Sequence, residues 1–172
     1  IAALTAGWKG RRVGDEELKR AVRAASTDPA GGIVGEFDLV LSPCVLSQLL
    51  CGVRDLMGRD HPGWPALKSE LRGRHLRTLL SLTAPGGRTV AIVDLTSTKS
   101  VPGLDRANPE EAAGVMEMCG QTGKCLRGLG PRAMIDEFHR AGGARFETST
   151  PWVWHLAGTK AFLCYGLTVR RT

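Results

Sequence analysis

Phe37-Asp38-Leu39-Val40-Leu41-Ser42-Pro43-Cys44 is the stretch on which the fold turns. Its run of apolar residues, closed by Ser42-Pro43, reads as a buried parallel strand. Val45, Leu46, Leu49, Leu50 and Val53 follow at helical spacing and form a crossover helix. A second unit repeats the order. His75 to Leu82 is an amphipathic helix, Ala84-Pro85-Gly86-Gly87 a turn, and Thr89 to Asp94 a strand.

The flanks extend the pattern. Upstream, Leu18, Ala21, Val22 and Ala25 share one face of a helix over 15–25, with acids leading and bases trailing as the helix dipole prefers. Turn formers from Ser26 to Gly32 end it. Downstream, residues 97–131 are rich in Pro, Gly and charge and far exceed the ~4–6 residues of an ordinary connection. They read as an insertion, with a helix starting at Pro109. The tail gives a helix over 132–141, a Gly142-Gly143 stop, and strands over 145–154 and 160–169. A loop of about five residues joins the last two strands, so they are antiparallel, because a parallel pair needs a crossover of a dozen or more. Trp152 and Trp154 share one face, where packing against a helix is expected. The sum is an α/β fold, a three-layer sheet of parallel strands ending in an antiparallel pair, with a basic helical segment over 1–35 and the α/β domain over 36–172.

Composition narrows the classes. At 172 residues, 42% apolar and 23% charged, the chain suits one folded domain and excludes disorder and collagen-like repeats. No apolar stretch approaches the roughly 20 residues of a transmembrane helix, and no membrane role is expected. The net charge of +6 attracts acidic partners weakly. The basic residues of 9–23 and 68–77 are interleaved with acids and few aromatics, so nucleic acid is not the favoured partner. Five cysteines without a Cys-x-x-Cys pair suit free thiols in a cytoplasmic protein. Cys119 and Cys125 could also clip the loop between them or join His139 on a metal, but no other feature supports a metal. The chain opens Ile1-Ala2-Ala3 without Met, as expected of the later portion of a longer protein.

The order strand-helix, helix-Pro-Gly-Gly-strand, helix-Gly-Gly, strand, short loop, strand resembles the later part of a Rossmann-like S-adenosylmethionine-dependent methyltransferase, over roughly 36–171. In that resemblance residues 37–42 are the fourth strand, the Pro-Gly-Gly turn precedes the fifth, and residues 145–169 are the sixth and seventh. It implies S-adenosylmethionine as cofactor and methyl transfer to an acceptor, a small molecule or another of unknown kind. It also exposes a departure. The family's Gly-rich turn after the first strand and the acid that ends the second have no counterpart in residues 1–35. Since the family's fourth strand lies beside its first, residues 37–41 would form a bare apolar edge, an aggregation hazard unless covered. A preceding segment, a second copy forming a homodimer, or residues 1–35 would cover it.

Ligands of open α/β sheets sit at the carboxyl ends of the strands. Ser42, Pro43 and Gln48 are therefore the candidate cofactor-binding residues. Asp94 is the candidate proton acceptor, and Thr96, Ser97 and His61 are candidates for binding substrate. Pro43-Cys44 also resembles the Pro-Cys of RNA cytosine methyltransferases, in which a thiolate adds to the base, making Cys44 a candidate nucleophile. There the resemblance departs at Ser42, where an acid is expected, and at Asp94-Leu95-Thr96, where a second cysteine is expected. The remaining reading is a catalytically silent methyltransferase-like module that pairs with another chain.

Overall fold

The computed structural model of the chain describes residues 13–26, 35–58, 60–122 and 128–172. Its helices are α1 (Asp15–Ser26), α2 (Val45–Met57), α3 (Trp64–Ser81), α4 (Pro109–Thr122) and α5 (Pro131–Arg140), and its strands are β1 (Phe37–Pro43), β2 (Thr83–Ser97), β3 (Gly143–Thr148), β4 (Trp152–His155) and β5 (Ala161–Arg171). The sheet runs β1-β2-β5-β3, with β4 also on β5. β1 and β2 are parallel, and β5 runs antiparallel to β2, β3 and β4. In the strand numbers that the resemblance assigns, the order is four, five, seven, six.

Several expectations shift in detail. The helix expected from His75 begins at Trp64, where Pro65 sits in its first turn. The single strand expected over 145–154 is two, β3 and β4, separated at Ser149-Thr150-Pro151 and both lying along β5. Pro has no N–H to give a ladder, and Pro151 stands at the break. The insertion is partly helical, as expected, holding a 3-10 turn at Leu104–Arg106 and α4. Cys119 is disulfide-bonded, which corrects the expectation of free thiols at that position; Cys44, Cys51 and Cys164 are in no disulfide. Cys125 lies outside the described residues, as does most of the 1–35 segment around α1.

Pro85-Gly86-Gly87 is built into β2 instead of preceding it. The β1–β2 register shifts between Phe37↔Thr83 and Leu39↔Arg88, so the tripeptide forms a bulge beside the start of β1. Gly86 has φ 79°, a left-handed conformation that side chains resist. At Gly87 a Cβ would lie 2.9 Å from the Ala84 carbonyl oxygen and 3.0 Å from that of Asp38. Two adjacent glycines are thus required for two different reasons, one torsional and one steric.

One face of the sheet makes the core. Ala91, Val93 and Leu95 of β2 and Leu163, Tyr165, Leu167 and Val169 of β5 pack against Leu46, Leu50 and Val53 of α2, Leu67, Leu71, Leu76 and Leu80 of α3, and Met134 and Phe138 of α5. Each such leucine removed from water contributes about 1.5–3 kcal/mol before ordering costs. The Tyr165 hydroxyl donates to the Leu129 carbonyl at 2.6 Å and anchors the segment leading into α5. α1 packs on α3, where Arg74 Nη1 donates to the Ala24 carbonyl.

The opposite face is open. Leu41 pairs with Val90 and Val90 with Thr168, so these side chains share that face. Leu39 is 61% exposed, Leu41 56%, Phe37 47%, Trp154 43% and Trp152 38%. Among the described residues the architecture therefore has two layers, not the three expected. The two tryptophans stand on the open face and not against a helix. β1 is an edge strand, as the order of the sheet requires.

Candidate functional site

The carboxyl end of the parallel pair collects the polar groups. β1 stops at Pro43, and the Cys44 N–H donates to the Ile92 carbonyl at 2.8 Å. Cys44 then adopts φ 53°, ψ 16°, left-handed for a residue with a Cβ, at a cost of about 1–2 kcal/mol. That conformation turns the chain from strand into α2 and puts Ser47 in the first helical turn. The Ser47 hydroxyl donates to Asp94 Oδ1 across the strand ends and lies 3.0 Å from the Cys44 carbonyl oxygen.

Asp94 is flanked by thiols. It pairs in register with Cys164, and Cys44 hydrogen-bonds to both. Burial raises the Asp94 carboxyl above its ordinary range, against the pull of the Ser47 hydrogen bond in the other direction. Burial first, and then the neighbouring carboxylate, push the Cys44 thiol up to about 11. Burial likewise raises Cys164. These are neutral, buried thiols around a carboxylate that is a stronger proton acceptor than an exposed one.

Immediately beyond, the β2–β5 register shifts between Asp94 and Thr96. The extra residue is Leu95, and bulges of this kind re-aim side chains next to functional sites. Thr96 is only 8% exposed, and its Oγ1 has no hydrogen-bond partner among the described residues. A buried orphan hydroxyl is costly, and a ligand oxygen or nitrogen would satisfy it.

Ser42 points to the other face. Its hydroxyl lies 2.9 Å from Nε2 of His75 in α3, and burial lowers the imidazole to about 4. Beside His75 lies a hollow of about 220 Å³ lined also by Leu49, Leu71, Arg74 and Thr78. Ser42 is thus separated from Asp94 by the sheet. Pro43 and Gln48 are exposed at the rim.

The other candidates also make contacts that hold the fold. Ser97 accepts the N–H groups of Ser100 and Val101 at its carbonyl and starts the turn out of β2. His61 takes the Gly63 N–H on Nδ1 and lies 3.2 Å from the Val13 carbonyl through Nε2, tying the start of α1 to that of α3. No group of three or more His, Cys, Asp or Glu among the described residues could hold a metal, and no described helix is long and apolar enough to cross a membrane.

Sequence reasoning missed Ser47 and Cys164, and it reads His75 as a surface or helix-capping histidine before a catalytic base. Ser47 and Cys164 meet Asp94 from distant parts of the chain, and a serine within a helix carries no local signal of its partner.

The residues present meet an adenosyl cofactor only in part. Pro43 and Gln48 form one exposed rim at the strand ends, where such a cofactor would lie. The glycine turn and the ribose-binding acid are not supplied by the described residues.

The chain matches no protein-family model and no curated protein. Solved structures of a proposed DNA modification methylase from Thermus thermophilus are similar to it. The selenomethionine form aligns at TM-score 0.36 and 18% identity over 88% of this chain and 50% of that one. A second form gives 0.34 and 18% over 93% and 52%. The form complexed with S-adenosyl-L-methionine gives 0.34 and 19% over 88% and 50%. The chain thus spans about half the length of these proteins, and likeness of this size assigns neither fold nor activity.

Proposed function

We propose that the chain is the later part of an S-adenosylmethionine-dependent methyltransferase domain, and that its contribution is the acceptor side of the site. The reading is supported most by Asp94. It lies near the end of β2 at the carboxyl edge of the parallel pair, held by Ser47. The order parallel strand, helix, Pro-Gly-Gly bulge, strand and antiparallel closure supports the same resemblance.

When bound, the cofactor would supply an electrophilic methyl group. This chain's residues act on the acceptor. Asp94, with its raised carboxyl, takes a hydrogen bond and then the proton from an acceptor N–H or O–H, while Ser47 fixes the orientation of the carboxylate. Burial and Asp94 both oppose ionisation of Cys44, which disfavours the reading in which its thiolate adds to cytosine.

A silent module that pairs with another chain is the second reading, favoured by the bare edge of β1 and by the incomplete cofactor surface. Titration calorimetry with S-adenosylmethionine and with its demethylated product separates the two. Saturable heat supports the methyltransferase, and no heat with either supports the silent module.

A further inference from the structure

Cys44 holds a conformation that glycine would adopt without strain. At φ 53° it is one of two described residues other than glycine with a positive φ, and the turn from β1 into α2 needs only that torsion, not a side chain. Strain of this kind collects at functional sites, where the strained residue is held by what surrounds it.

The thiol has a task within reach. Ser47, three residues on, carries a single hydroxyl hydrogen and has two acceptors beside it, Asp94 Oδ1 and the Cys44 carbonyl oxygen. One shared hydrogen leaves the carboxylate short of a donor. Cys44 is only 5% exposed, and its sulfur receives the S–H of Cys164 and the backbone N–H of Asp94. Its own hydrogen is then left for the Asp94 carboxylate. Burial and the neighbouring carboxylate keep the thiol protonated, so that it remains a donor. Among the described residues, the titratable groups that face Asp94 are these two thiols, Cys44 from the turn and Cys164 from β5.

We propose, on the reading of Asp94 as the base on the acceptor side, that Cys44 is its positioning residue: the left-handed turn brings the protonated thiol to the carboxylate, which Cys44 and Ser47 orient together. A thiol suits the role because S–H is a weak donor. It fixes the carboxylate while taking little from its basicity. A hydroxyl in its place would favour the charged form more strongly and leave a poorer proton acceptor. The cysteine is thus kept where glycine would relieve the backbone, and serine would weaken the base.

The test follows the Asp94 carboxyl carbon shift with pH in the whole chain and in Cys44→Ser and Cys44→Ala, with no cofactor or acceptor present. Both variants keep a Cβ in the left-handed turn and so carry the parent's backbone strain. The titration midpoint is expected to fall in the serine variant and to rise in the alanine variant, each by about half a pH unit or more, as for a carboxylate that gains a stronger hydrogen bond or loses one. A change of packing alone would move both the same way. Any order of midpoints other than serine, parent, alanine overturns the proposal. Urea unfolding shows that each variant is folded at the pH used, and Cys44→Gly, which lacks the thiol and relieves the turn, replaces alanine where alanine does not fold. The readout needs no ligand, so its failure leaves the methyltransferase reading standing, whereas that reading fails separately, when S-adenosylmethionine does not bind.

Discussion

Ser47 and Asp94 lie on different elements, one in the first turn of α2 and one near the end of β2, and are joined by a hydrogen bond from the serine hydroxyl to the carboxylate. That bond favours the charged form of a group whose burial favours the neutral form. Ser47→Ala is expected to raise the Asp94 carboxyl further and to cost about 1–3 kcal/mol, as for a buried acceptor left unsatisfied. Carboxyl carbon chemical shifts followed with pH check the first, and urea unfolding the second. An unmoved Asp94 titration would remove Ser47 from the site.

Asp94→Asn separates stability from chemistry. A carboxyl raised in the folded state above its unfolded value of 3.8 destabilises the fold as pH rises through that window. The amide keeps an acceptor for Ser47 and carries no charge. The variant is expected to melt at or above the parent temperature at pH 7 while losing any acceptor deprotonation, and a clear drop in melting temperature would contradict the account.

His75 sets the acid side of the stability profile. Its folded value of about 4 lies below the ordinary 6.5, so the unfolded chain binds the proton first as pH falls. Its contribution to stability is full above about 6.5 and is lost as pH falls toward 4. A shift of this size corresponds to about 3 kcal/mol. In His75→Gln, denaturant midpoints between pH 7 and 4 should fall less steeply than in the parent.

Gly87→Ala tests the bulge. The added methyl would meet backbone carbonyl oxygens of Ala84, Asp38 and Phe37, none of which is the end of a flexible side chain. A loss of about 2–3 kcal/mol is expected by chemical denaturation. Gly114→Ala is the control, since a Cβ there meets nothing within 4 Å.

The sequence exposes the order of elements because each has a local cause. Apolar runs, helical spacing in α2 and the acid-to-base gradient of α1 are all written within a dozen residues. The carboxyl-edge location of Asp94 follows from the strand that precedes it. What stayed hidden depends on contacts between distant segments. The bulge at Leu95, which buries Thr96, is visible only in the register against β5. Ser42 reads as a rim residue, yet the alternation of β1 turns it toward His75, on the helix side of the sheet. The open face could not be read either, since apolar runs state that both faces need cover without stating which face has it.

The most direct test of the central claim is an amide chemical-shift titration of the chain with S-adenosylmethionine and with its demethylated product. The account predicts saturable shifts concentrated at residues 43–48 and at the neighbouring carboxyl end of β2, retained in Asp94→Asn. Absence of shifts at millimolar ligand, or shifts confined to residues away from the carboxyl ends of β1 and β2, would contradict it.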